Sequence, residues 1–118
     1  MGKTKPDIQK IYAQGNEGDL KRQVEAVLKH YPRLMFWPNN TGSVMRYGVR
    51  VKYGHLGSGD FLGLIAPSGR MVAIETKTKK GVQSPDQIKF QREFEAHGGW
   101  YILCREMDDL KPLLEVIK

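Results

Sequence analysis

One cysteine, Cys104, in a chain of 118 residues excludes an internal disulfide, and with it the stapled framework of small secreted domains. It also excludes a Cys-x-x-Cys metal site. Histidine is scarce as well: His30, His55 and His97 are scattered, without the spacing of a zinc site. No stretch approaches the ~18 consecutive apolar residues that a membrane-spanning helix requires, and the opening Met-Gly-Lys-Thr-Lys-Pro-Asp lacks the apolar core of a signal peptide. Together these absences lead us to expect a cytoplasmic, reducing location and no membrane partner. G-x-S-x-G, Walker A and paired-histidine motifs are all missing. The Gly57-Ser58-Gly59 loop leads into a predicted strand rather than a helix, so it is no nucleotide cradle.

What is present is an ordinary globular composition, 40% apolar and 27% charged. The length suits one compact domain, expected over residues 16–118 behind a polar, aperiodic arm at 1–15. Nineteen Lys and Arg against thirteen Asp and Glu leave a net charge of +6. That excess suits a polyanion, because Lys and Arg displace counterions condensed on phosphates. It equally suits a small basic protein with no acidic partner, so the choice falls to the site chemistry.

Helical periodicity begins at Asn16–Glu17, with Leu20, Val24, Val27, Leu28 and Tyr31 on one face; Asn16 is a suitable N-cap and Pro32 a suitable stop. Leu34–Trp37 reads as a short strand closed by Pro38 and the Asn39–Gly42 turn. Val44, Tyr47, Val49, Val51 and Tyr53 suggest an irregular hairpin. Two strands follow, Asp60–Ile65 and Met71–Lys77, joined by the turn Pro67-Ser68-Gly69-Arg70. Ser84 as N-cap, Pro85 in the first turn and Gln87 at the third position predict a helix with a capping box, ending at Gly98–Gly99. Trp100–Cys104 reads as a strand, and Asp109–Ile117 as a last helix with Pro112 in its first turn. The order predicts an α/β domain with a mixed central sheet.

The chemistry concentrates in Gly59-Asp60-Phe61 and Ile74-Glu75-Thr76-Lys77. Alternation along a strand puts Glu75 and Lys77 on one face and Val72, Ile74 and Thr76 on the other. Met71–Ile74 is continuously apolar, as in a strand covered on both sides, and charges at the end of such a strand need a partner or an ion. An antiparallel return through the turn brings Asp60 beside Glu75. Two neighbouring carboxylates repel unless a proton or cation lies between them, and hard oxygen donors select Mg²⁺ or Mn²⁺. Such an ion acidifies water and stabilises a leaving oxygen, with Lys77 placed to orient that water or offset developing charge.

Glu17 shares the inward face of the first helix and is a third candidate carboxylate; a first-turn acid also complements the helix dipole. Gln87 lies with Phe90, Gln91 and Phe94 on the face expected to pack on the sheet. It needs a polar partner there, which the site or the capping box can each supply. Arg46, Arg50, Lys52, Tyr53 and His55 before the site, and Lys79 and Lys80 after it, form a basic and aromatic set suited to DNA phosphates and bases.

These residues resemble the PD-(D/E)xK nuclease superfamily, and more narrowly the VRR-NUC family. The resemblance spans residues 17 to 114 and rests on Glu17, Gly59-Asp60, Glu75-Thr76-Lys77 and Ser84-Pro85-Asp86-Gln87, followed by the Gly98–Gly99 stop, a strand and a last amphipathic helix. It implies a restriction-endonuclease-like core in the order α-β-β-β-α-β-α. Glu17, Asp60 and Glu75 would bind the metal with the Thr76 carbonyl, Lys77 would be the catalytic lysine, and Gln87 an active-site helix residue. A short stand-alone chain is similar to phage and bacterial members that resemble Holliday-junction resolvases. The implied function is a Mg²⁺- or Mn²⁺-dependent endonuclease acting as a homodimer on branched DNA. Exposed-looking Phe36, Trp37 and Trp100 are the places to seek its dimer surface. The alternatives are a basic nucleic-acid-binding module without hydrolysis, or an archaeal-type resolvase or nickase of the same superfamily. Two departures bear on substrate choice: Gly59 stands where the family has Pro, and residues 45–54 are longer than in many relatives.

Overall fold

The computed structural model describes residues 17–118; the expected arm at 1–15, the Asn16 cap and the Glu17 side chain lie outside the described residues. In chain order the elements are α1 (Glu17–Leu28), β1 (Leu34–Pro38), β2 (Gly42–Arg46), β3 (Val49–Tyr53), β4 (Phe61–Ile65), β5 (Arg70–Thr76), α2 (Pro85–Ala96), β6 (Trp100–Cys104), a 3₁₀ turn (Met107–Leu110) and α3 (Lys111–Ile117). Four strands form one sheet in the order β1-β4-β5-β6, and β2 and β3 form a separate two-stranded ribbon. Without that ribbon the order is the predicted α-β-β-β-α-β-α. The ribbon is a regular ladder, Gly42 opposite Tyr53 through Arg46 opposite Val49.

The sheet is mixed, as expected. β4 runs antiparallel to both β1 and β5, with Phe61 opposite Ile74, while β6 runs parallel to β5 with Thr76 opposite Cys104. A short turn suffices between antiparallel β4 and β5, whereas the parallel step from β5 to β6 needs the α2 crossover. Phe61, Ile65, Val72, Ile74, Ile102 and Cys104 point to one face of the sheet. They form the core with Leu20, Val24, Val27 and Leu28 of α1, Met107 and Leu110 of the turn, and Leu113, Leu114 and Ile117 of α3.

The opposite face meets α2. No residue of α2 is fully buried, but Gln87, Phe90, Gln91 and Phe94 are its half-buried stripe, the face expected from the periodicity. Phe90 stacks on Phe94 and tilts against Tyr101 of β6.

Two expectations are corrected in detail. The last helix divides into the 3₁₀ turn and α3, where Asp109 accepts from the backbone amides of Arg105 and Glu106. Phe36, Trp37 and Trp100 are half-buried rather than bare: Phe36 meets Phe61 edge-on, and the Arg70 guanidinium lies over Trp100. Among the described residues no helix is long and apolar enough to cross a membrane.

Candidate active site

Asp60 sits one residue before β4 and Lys77 one residue after β5, so the charged groups gather where the ladder ends. Extending the β4–β5 register by one step places Asp60 opposite Glu75. Both border a cleft of about 250 Å³, together with Lys21 of α1, the loops 39–41 and 57–59, and Gln87 of α2. The cleft therefore opens at the carboxyl end of β5, between helices on opposite faces of the sheet.

The Asp60 carboxylate is held on one side by Thr76. Its Oδ2 accepts from the Thr76 amide at 2.8 Å and from the Thr76 hydroxyl at 2.6 Å. Thr76 is completely buried, so these bonds satisfy donors that would otherwise be orphaned in the core. The Lys21 ammonium lies 3.6 Å from Asp60 Oδ1. The Asp60 backbone is pinned as well, its amide donating to Ile74 and its carbonyl accepting from Asn39.

Glu75 is only 6% exposed. Gln87 Nε2 donates to Glu75 Oε1 at 2.9 Å, and the Lys77 ammonium stands 4.0 Å from the same oxygen. Gln87 Oε1 meanwhile accepts from the Ser84 amide, and the Ser84 hydroxyl accepts from the Gln87 amide. The capping role and the site role expected for Gln87 are thus one arrangement. The residue that starts α2 also fixes the buried acid.

Loop 57–59 reaches this position through backbone conformations closed to most side chains. At Gly57, with φ +79°, an added Cβ would sit 2.4 Å from the Asp86 carbonyl oxygen, so the loop packs directly on the first turn of α2. Gly59 has φ +99°, far from the value near −65° to which proline is locked. Pro at position 59 is incompatible with this loop conformation. Asn39 Nδ2 closes the loop from the other side, donating to Ser58 Oγ and Gly59 O.

Asp60, Glu75 and Gln87 line the cleft, Thr76 and Lys77 contact Asp60 and Glu75 respectively, and the Glu17 side chain lies outside the described residues. Among the described residues no three His, Cys, Asp or Glu side chains cluster as a ready metal cage. Arg46, Arg50, Lys52 and Tyr53 ride on the β2–β3 ribbon, which springs from the cleft wall at Thr41. His55 does not accompany them: its ring packs edge-on against Phe90, 5.3 Å between centroids. Lys79 and Lys80 are exposed on a loop whose carbonyls at 78, 79 and 81 all accept from Arg105 Nη1.

Lys21, Asn39 and Arg105 were not among the predicted residues. A signal existed for Lys21, which follows Glu17 by one helical turn on the same face. Arg105 and Asn39 act through backbone carbonyls distant in sequence, which leaves no local pattern.

Burial raises the Tyr101 pKa, and the charges of Glu75 and Asp60 raise it further against a hydrogen bond from Gln83.

No protein-family model and no curated protein matches the chain. A solved structure described as a VRR_NUC domain does match, with a TM-score of 0.60 at 16% identity, covering 86% of this chain and 97% of that one. The chain has the fold of a VRR-NUC domain, and Asp60, Glu75 and Lys77 occupy the ends of its two central strands.

Proposed function

We propose that this protein is a divalent-metal-dependent DNA endonuclease with its active site at Asp60, Glu75 and Lys77. The observation that carries the proposal is the nearly buried Glu75 sharing a cleft with Asp60, an ammonium group beside each. Burying an acid is costly without a partner or an ion; Gln87 and Lys77 engage Glu75, and a cation in the cleft would engage the carboxylates of Glu75 and Asp60 together. The donors around the cleft are carboxylates, hydroxyls and amides, with no thiol or imidazole, a set that fits Mg²⁺ or Mn²⁺. Asp60, Glu75 and the Thr76 carbonyl would hold the ion, with Glu17 as the proposed third carboxylate. When bound, it supplies an acidified water and a counter-charge for phosphoryl oxygens.

The remaining work falls to the chain itself. Thr76 and Gln87 fix the two carboxylates in position. Lys77, 17% exposed, is placed to orient the attacking water and offset charge in the transition state. Lys21 neutralises Asp60 and can pass to a substrate phosphate once a cation takes its place. Arg46, Arg50, Lys52, Tyr53, Lys79 and Lys80 would contact DNA on either side of the scissile bond, and His55 would brace the loop against α2.

Branched DNA and a homodimer with two sites are the favoured substrate and assembly. The test is a panel of linear, nicked, flap and four-way DNA, each with Mg²⁺, Mn²⁺ or EDTA. We expect metal-dependent product, largest on branched DNA, and loss of cutting with residual binding in Glu75→Ala and Lys77→Ala. Cleavage undiminished in either variant would defeat the assignment; binding without product in any metal would leave a non-hydrolytic binding module.

A further inference from the structure

The β2–β3 ribbon has no place in the core, and its tip is unusual. Tyr47 is fully exposed, at 103% of its reference area, and adopts φ +49° ahead of Gly48 at φ +76°. Two successive positive φ values make the two-residue turn that suits hairpins, and the residue that takes its first position readily is Asn. An aromatic side chain there has a strained backbone and no intramolecular packing in return.

The ribbon's charge and position narrow what that tip could meet. From Glu25 to Asp60 the sequence has no Asp or Glu between them, while the ribbon alone carries Arg46, Arg50 and Lys52. The pairing puts Ser43, Met45, Arg50 and Lys52 on one face, where Arg50 Nη1 donates to Ser43 Oγ. The root is fixed to the cleft, since Asn40 and Thr41 line it directly before Gly42. Five residues at about 3.4 Å each carry the tip roughly 17 Å from the root, or about five nucleotide steps along one strand.

We infer that the β2–β3 ribbon is a branch-sensing arm, with Arg50 and Lys52 following phosphates and Tyr47 stacking on an unpaired base about five nucleotides from the scissile bond. This rests on the nuclease reading for the position of the bond. A two-stranded ribbon fits the major groove, and every base offers an aromatic ring to stack on. Val44, Val49, Val51 and Tyr53 lie on the opposite face beside Arg46, and all four are exposed. A protein partner would leave its mark there.

The experiment compares wild type with Tyr47→Ala, Tyr47→Phe and Tyr47→Asn on blunt and forked duplexes. Each fork carries 2-aminopurine at the first unpaired position, and Ca²⁺ replaces Mg²⁺ so that the DNA stays intact. We expect Tyr47→Ala and Tyr47→Asn to bind the fork about tenfold more weakly and to lose the fluorescence change. Tyr47→Phe should retain both, and blunt-duplex affinity should stay within about twofold throughout, since stacking is the only contact removed. Tyr47→Asn relieves the turn and should melt at or above wild type, so loss of fork binding in that variant is not loss of fold. Equal fork binding by all four proteins overturns the inference, as does a change of oligomeric state in Tyr47→Ala by sedimentation. Tyr47-dependent fork binding without cleavage in Mg²⁺ would sustain the arm and defeat the nuclease; cleavage indifferent to Tyr47 would do the reverse.

Discussion

Replacing Gln87 by Glu separates the two tasks of this side chain. Ser-x-x-Glu is as good a capping box as Ser-x-x-Gln, so the start of α2 should survive. What changes is the amide that donates to Glu75 Oε1 at 2.9 Å, which becomes a second carboxylate. Two unit charges about 4 Å apart repel by about 4 kcal/mol at an effective dielectric near 20. Half-exposed position 87 and the open cleft screen the pair, leaving about 2 kcal/mol of destabilisation. For a domain of this size that is a fall in Tm on the order of 10 °C. The sign with pH follows from the mutual repulsion, which raises the pKa of the pair in the folded state. The folded protein then holds a proton more tightly than the unfolded one. The deficit against wild type is therefore full above the raised pKa, and it vanishes as pH falls below the ordinary Glu value of about 4.3. Added Mg²⁺ should recover more Tm in Gln87→Glu than in wild type, because a third carboxylate strengthens the site. The assay is a thermal melt of both proteins between pH 4 and 8, in EDTA and in Mg²⁺. A deficit that is absent at pH 8, or constant across this range, would refute the contact between positions 87 and 75.

Three further outcomes follow from the same geometry. Gly57→Ala forces a Cβ into the Asp86 carbonyl at positive φ; it should cost at least ~2 kcal/mol in urea unfolding and abolish cutting by displacing the cleft wall. Arg105→Ala releases the carbonyls at 78, 79 and 81, so limited proteolysis should gain a cut near Lys79–Lys80 while the melt moves little. Cys104 is fully buried and its thiol is pushed up to about 12 by burial, with the Asp109 charge adding to it. It should resist a thiol-reactive dye at pH 8 until the protein unfolds. The stability it contributes should be complete below the ordinary value of 9.0 and be lost as pH rises toward about 12.

The central strands were legible because their periodicity, turn chemistry and apolar runs agree. Asp60 and Glu75 stood out as charges at the ends of otherwise apolar strands. Ser84 and Gln87 were legible as a cap, but the bond from Gln87 to Glu75 depends on how α2 crosses β5, which no local pattern encodes. The apparent exposure of Phe36 and Trp100 misled for a related reason: Phe61 and Arg70 cover them from other elements. His55 reads in sequence as one more member of a basic run, and its edge-on contact with Phe90 of α2 depends on how α2 lies against the loop, which no local pattern records. The ribbon was legible as a hairpin, yet the strain at Tyr47 is a backbone property that composition does not record.

In the proposed active site, Asp60 and Glu75 would hold one divalent cation between them. Electron paramagnetic resonance of free Mn²⁺ during a titration measures this directly, in wild type and in folded Asp60→Asn and Glu75→Gln. The expected result is a Mn²⁺ site in wild type that Mg²⁺ displaces and that either substitution removes. Mn²⁺ binding unchanged in both variants would contradict it.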